Sequence, residues 1–123
     1  QSSLHAVVRA GNKISSLDVF EHAEKRDVYA LQIVKETAEY LAIGITSLVH
    51  TIDPDIVVLG GAMDFGGRST DTGKTFLSHI RSRFSEMTFP VLAENTIIDF
   101  ATLGSDSGFI GAAGVARAQF GQN

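Results

Sequence analysis

The chain has 123 residues, a net charge of −4 and no cysteine. That is one domain's length, enough to bury roughly two-thirds of its unfolded surface. The ten basic residues are scattered, which argues against a nucleic-acid surface, and without thiols there is neither a disulfide framework nor a thiolate metal site.

No apolar run approaches the ~20 residues of a membrane helix, and no signal peptide is visible. A reducing cytoplasm is the expected compartment. The chain begins with Gln rather than Met, and the expectation is a piece of a longer protein.

Leu4 to Ala10 reads as the end of a helix, stopped by Gly11-Asn12. Ser15 with Asp18 has the shape of a capping box and opens a short helix to about Lys25. Its expected buried face is Leu17, Phe20 and Ala23. Asp27 is the expected N-cap of the longest helix. Its apolar positions are Val28, Leu31, Val34, Ala38, Leu41, Ile45, Leu48 and Ile52. At about 1.5 Å per residue this helix spans about 37 Å. Gly44 inside it implies a close approach to a neighbour.

Pro54 ends that helix. Ile56 to Leu59 is a short, mostly β-branched run that reads as a buried strand of a parallel sheet. Gly60 and Gly61 follow at its carboxyl end, where open α/β sheets bind ligands. Two bare glycines admit either a tight turn or a flat ligand against the backbone.

Asp64 to Thr72 is a polar loop. A helix follows, capped near Asp71 or Thr72, with Phe76, Leu77, Ile80, Phe84 and Met87 as its apolar set and Pro90 as its stop. Thr96 to Ala101 reads as a second strand, which makes a right-handed parallel βαβ unit. Ser105 or Asp106 then caps a helix over Gly108 to Gln119. Its small residues Gly111 to Gly114 suggest close approach to a neighbour.

Few patterns carry chemistry. Gly67 to Thr75 has the flavour of a phosphate-binding loop, but five residues rather than four separate Gly67 from Gly73. The preceding strand also ended eight positions earlier, so the backbone N–H groups would not converge on one phosphate. His5, His22, His50 and His79 lack the helical spacing of a zinc site and read as helix-face or surface histidines. Asp64 and Asp71 are the acidic loop residues that could contribute to a site. No nucleophile–base pair emerges from spacing.

Four features in order give the run from Asp27 to Arg117 its character. A long helix ends in Asp53-Pro54-Asp55, and Ile56 to Gly61 form a strand with a glycine pair. Phe76-Leu77 open a helix ending before Phe89-Pro90, and Leu103 to Gly108 lead into Gly111-Ala112-Ala113. This run closely resembles the carboxyl-terminal part of the ROK sugar kinases and repressors, especially bacterial glucokinases.

The resemblance implies an α/β fold, namely the helix-rich lobe of an actin/hexokinase-like (ribonuclease H-like) ATPase domain with a parallel βαβ core. It implies ATP with Mg²⁺ as cofactor and a hexose as substrate in the longer protein. Gly60 and Gly61 would form the adenosine-side wall, continued by Ala62 and Met63. The family often has a third glycine where Ala62 stands.

The family's phosphate loop, Asp-Gly-Thr-Gly-type motif, sugar-contacting Glu and His, catalytic Asp and cysteine-rich zinc motif have no counterpart here. All lie upstream of the matched segment. The expected partner is therefore an upstream domain of the same protein, with self-association covering unpaired sheet edges. No membrane is implied, and nucleic acid only if the parent is a repressor. The rival readings are a ROK repressor lobe and a structural or interaction domain that binds no nucleotide.

Overall fold

A computed structural model describes residues 3–11, 13–61, 64–102 and 106–121. Helix α1 (Leu4–Arg9) ends where Gly11 turns to φ +75° and donates its N–H to the Val8 carbonyl at 3.0 Å. Helix α2 (Ser16–Glu24) starts from the expected capping box. Ser15 accepts the Asp18 N–H, and the Asp18 carboxylate accepts the Ser15 N–H at 2.8 Å. Helix α3 (Val28–Ile52) is capped by Asp27, whose carboxylate accepts from Tyr29 and Ala30. The same carboxylate accepts the Ser3 N–H and hydroxyl, which ties the chain ahead of α1 to the start of α3.

Strand β1 (Ile56–Leu59) and strand β2 (Ile97–Phe100) form a two-stranded parallel sheet, Ile56 opposite Ile97 and Leu59 opposite Phe100. Between them run a single 3₁₀ turn (Gly67–Ser69), helix α4 (Asp71–Met87) and the short helix α5 (Pro90–Asn95). Helix α6 (Ser107–Phe120) follows β2.

The core lies between α3 and α4. Ala30, Val34, Ala38, Ala42, Ile45 and Val49 meet Phe76, Leu77, Ile80 and Phe84, with Ile98 and Phe100 closing one end. Small residues on α3 face aromatic ones on α4, so the helices come close and the rings fill the gap.

This seam differs from the one expected of the sequence. Val28, Leu41, Leu48 and Ile52 are exposed, and Ala30, Ala42, Thr46 and Val49 take their place. Size misled here: the expected stripe followed the large side chains, whereas packing selected the alanines. Helix α3 thus carries apolar residues on both sides, as helices inside larger cores do. Gly44 falls on the outer side, with nothing within 4 Å of a Cβ placed there, so the expected close approach does not occur among the described residues.

Other expectations shift for comparable reasons. On α2, Val19 is buried and Leu17 is 61% exposed. The N-cap of α4 is Thr70, one residue before the expected range, because its hydroxyl reaches the Gly73 N–H at 3.0 Å. Helix α4 ends at Met87, and Pro90 opens α5 from its first position, where a missing N–H costs nothing.

Strand β1 is not fully buried: Ile56 is 55% and Val58 60% exposed, while Val57 and Leu59 pack on the core. Helix α6 is exposed from Gly108 to Phe120, and among the described residues nothing stands within 4 Å of a Cβ on Gly108, Gly111 or Gly114, in contrast to the expected close packing. Asp106 occupies its N-cap position without a side-chain cap bond, and Ser105 lies outside the described residues.

Candidate functional site

The parallel strands end together. Leu59 and Phe100 are paired, and the Ala101 N–H donates to the Leu59 carbonyl at 2.8 Å. Gly60 and Gly61 leave the sheet at this edge. Among the described residues, a Cβ on Gly60 would meet the Ala101 Cβ at 3.8 Å, an ordinary contact, and a Cβ on Gly61 would meet nothing within 4 Å. Gly61 sits at φ +97°, a conformation that only glycine adopts freely. The pair is therefore both a turn and an open stretch of backbone. Ala62 and Met63 lie outside the described residues.

Two cavities meet this edge. The larger, about 580 Å³, lies between the outer side of α3 and the end of β1, lined by Thr37, Tyr40, Leu41, Val58, Gly60 and Phe76 among others. The second, about 330 Å³, sits at the end of β2 against Gly66, Gly67, Arg68, Phe100 and Ala101. Asp64 borders both. Sequence reasoning missed the α3 contribution, although Thr37, Tyr40 and Leu41 are spaced three and four apart and so share one helix face.

The loop between β1 and α4 is shaped by glycine and by side-chain caps. Phe65, Gly66 and Gly67 all have positive φ. Asp64 Oδ1 accepts the Gly66 N–H at 3.0 Å, and its carbonyl accepts the Gly67 N–H at 2.9 Å. Thr70 Oγ1 donates to the Phe65 carbonyl at 2.6 Å while accepting from Gly73. Asp71, the other acidic residue considered, lies apart from Asp64. It pairs with Arg26 at 3.6 Å and Lys74 at 4.0 Å beside a recess of only about 50 Å³.

On the outward face of β2, Asp99 sits between two arginines. Arg68 both pairs with it and donates Nε–H at 3.2 Å, and Arg81 stands 3.5 Å away. The Arg68 hydrogen bond, with the Phe100 N–H and both positive charges, holds the Asp99 carboxyl below the ordinary aspartate range. Arg81 also donates Nε–H to the Ile98 carbonyl at 2.9 Å, pinning α4 to β2.

The phosphate-loop resemblance of Gly67 to Thr75 has no structural counterpart. Gly73, Lys74 and Thr75 are already helical, and the Thr72 and Gly73 N–H groups are taken by Glu24 and Thr70. His22 contacts the Asp18 carbonyl of its own helix at 2.7 Å, and His50 of α3 contacts the Thr88 hydroxyl at the end of α4 at 2.9 Å. Among the described residues no three His, Asp or Glu side chains gather as a metal cage.

The family model "ROK family" matches residues 2–119. The chain belongs to the ROK family. The match takes in α1 and α2 as well, beyond the Asp27–Arg117 run that carried the resemblance. A glucokinase of Halalkalibacterium halodurans is 31% identical over 106 residues, 86% of this chain and 30% of that protein. A xylose repressor of Bacillus spizizenii is 23% identical over 108 residues, 88% of this chain and 27% of that protein.

Among solved structures, a candidate sugar kinase from Cytophaga hutchinsonii superposes with a TM-score of 0.74 at 24% identity. The superposition covers 93% of this chain and 35% of that one. The chain shares that structure's helix-rich α/β fold around a parallel β–α–β core. The chain spans about a third of the length of the curated relatives it matches. No helix among the described residues is long and apolar enough to cross a membrane.

Proposed function

We propose that this ROK chain is the carboxyl-terminal portion of the ATP-binding lobe of a hexose kinase, acting as one domain of a longer cytoplasmic protein. The carrying observation is the bare backbone of Gly60, with Gly61 beside it, at the carboxyl edge of a parallel sheet, Gly60 opening on a 580 Å³ cavity. That volume is in the range of small-molecule sites, and the edge is where open α/β sheets take ligands. Adenosine would lie on the glycine pair, with Tyr40 and Leu41 of α3 across the cavity. Ala62 and Met63 would continue the wall.

In this reading ATP supplies the transferred phosphoryl group, with Mg²⁺ neutralising its phosphates. Mg²⁺ is usually held by one or two carboxylates plus the phosphates themselves, so this chain would meet the ion through the nucleotide. Hexose contacts, phosphate loop and catalytic carboxylate belong to the rest of the protein. That rest also covers the outer side of α3 and the outward face of the sheet, where Ile56, Val58 and Ile97 are exposed.

The test is hexose-dependent ATP turnover by the full-length protein, across a panel of hexoses and pentoses. Turnover supports the kinase. The likeness to the xylose repressor favours one second reading, a sugar-binding repressor lobe. Sugar binding and sequence-specific DNA binding without turnover would select it.

A further inference from the structure

We propose that Glu24 and Thr72 form a latch that positions the Asp64–Ser69 loop at the rim of the nucleotide site. Glu24 is then a positioning residue for nucleotide binding, although it stands on α2, outside both cavities at that rim. The inference rests on the nucleotide reading of the Gly60–Gly61 edge.

The latch begins with a single carboxylate oxygen. Glu24 Oε1 accepts the Thr72 N–H at 3.1 Å and, more closely, the Thr72 hydroxyl. Thr72 is only 4% exposed. Forty-eight positions separate the two residues, so the contact fixes α4 against α2 rather than merely finishing a helix end. A carboxylate at a helix N-terminus is also favoured by the helix dipole. Beside it, Arg26 and Asp71 make a second link between the same two segments.

The contact then passes to the loop through backbone. Gly73, next to Thr72, lies against Gly67 so tightly that a Cβ on Gly73 would stand 2.0 Å from the Gly67 carbonyl oxygen. Thr70 adds a parallel link, holding the Gly73 N–H and the Phe65 carbonyl with one hydroxyl. Gly67 lines the second cavity, and Asp64, which accepts from Gly66 and Gly67, lines both. No slack separates Glu24 from the rim: two hydrogen bonds, one covalent step and one backbone contact connect them.

The experiment uses the full-length protein and steady-state kinetics with ATP and hexose. Glu24→Ala is expected to raise the ATP KM about fivefold, with kcat and the hexose KM within about twofold, because ground-state nucleotide contacts are loosened and the chemistry is not. Glu24→Gln retains an acceptor oxygen and should stay within about twofold of wild type. Amide exchange at Gly66 and Gly67 should be faster in Glu24→Ala than in wild type. If Glu24→Ala does not fold, Thr72→Val replaces it: it removes the hydroxyl bond only and should raise the ATP KM about threefold, and a wild-type ATP KM in that folded variant would overturn the latch.

A folded Glu24→Ala variant with wild-type ATP KM, or a Gln variant as impaired as Ala, would overturn the latch. Wild-type protein that neither turns over nor binds ATP rejects the nucleotide reading instead. In that case unchanged exchange at Gly66 and Gly67 in Glu24→Ala would overturn the latch on its own.

Discussion

Gly73 and Gly67 are in backbone contact, and Gly73 has no room for a side chain. A Cβ on Gly73 would meet the Gly67 carbonyl oxygen, carbon and nitrogen at 2.0 to 2.8 Å. Gly67 itself has φ +57°. Gly73→Ala should therefore destabilise by about 2–3 kcal/mol, since backbone must move to admit the methyl. Gly44→Ala is the contrasting control. It sits mid-helix with open space around it, so in this chain alone it should stabilise by about 1 kcal/mol. Denaturant midpoints for the two variants should move in opposite directions.

The glycine pair separates binding from folding. Gly61→Ala is strained by φ +97° and should cost about 1–3 kcal/mol whatever binds nearby. Gly60→Ala has no such strain, and its methyl makes one ordinary contact with Ala101. In the full-length protein, Gly60→Ala should leave the melting temperature close to wild type while raising the ATP KM about tenfold. An unchanged ATP KM in that well-folded variant would return Gly60 to a plain turn residue.

Thr70 performs two tasks with one hydroxyl, capping α4 and closing the loop onto Phe65. Thr70→Val should destabilise by about 1–2 kcal/mol, the upper range for a lost N-cap. Thr70→Ser should recover most of it. A Val variant as stable as wild type would show that the loop holds itself.

Asp99 predicts a dependence on acid. Its folded pKa lies below 3.8 because the Arg68 hydrogen bond favours the carboxylate. A depressed folded pKa adds stability above the unfolded value, and that stability is lost as pH falls through the folded value. Asp99→Asn should thus be less stable than wild type at pH 7, with the gap closing below about pH 4. Thermal melts across pH 2.5 to 7 would show it. The exposed setting of Arg68 makes the gap sensitive to salt as well.

The chain alone should not phosphorylate a sugar, because its proposed share is the adenosine wall and not the reacting carboxylate. Turnover by the purified chain, above a contaminant control, would overturn that division of labour.

Local rules settled much of this protein. The Ser15–Asp18 capping box, the Asp27 cap and the stop at Gly11 depend on interactions within a few residues, and the strand at Ile56 with the glycine pair after it shows as a local apolar pattern, so the sequence alone located them. The family was legible for the same reason: its features are short patterns in a fixed order. Tertiary structure decided which side of α3 became core, because Val28 and Leu48 are as apolar as any residue and only the fit of Ala30, Ala38 and Ala42 against Phe76 and Phe84 favours the other face. It also decided that Gly73 must be glycine, that Tyr40 and Gly60 share a cavity, and that Glu24 reaches Thr72. The last two join residues far apart in the chain, and the first depends on how the loop folds back onto the helix start, so neither propensity nor periodicity carries information about them.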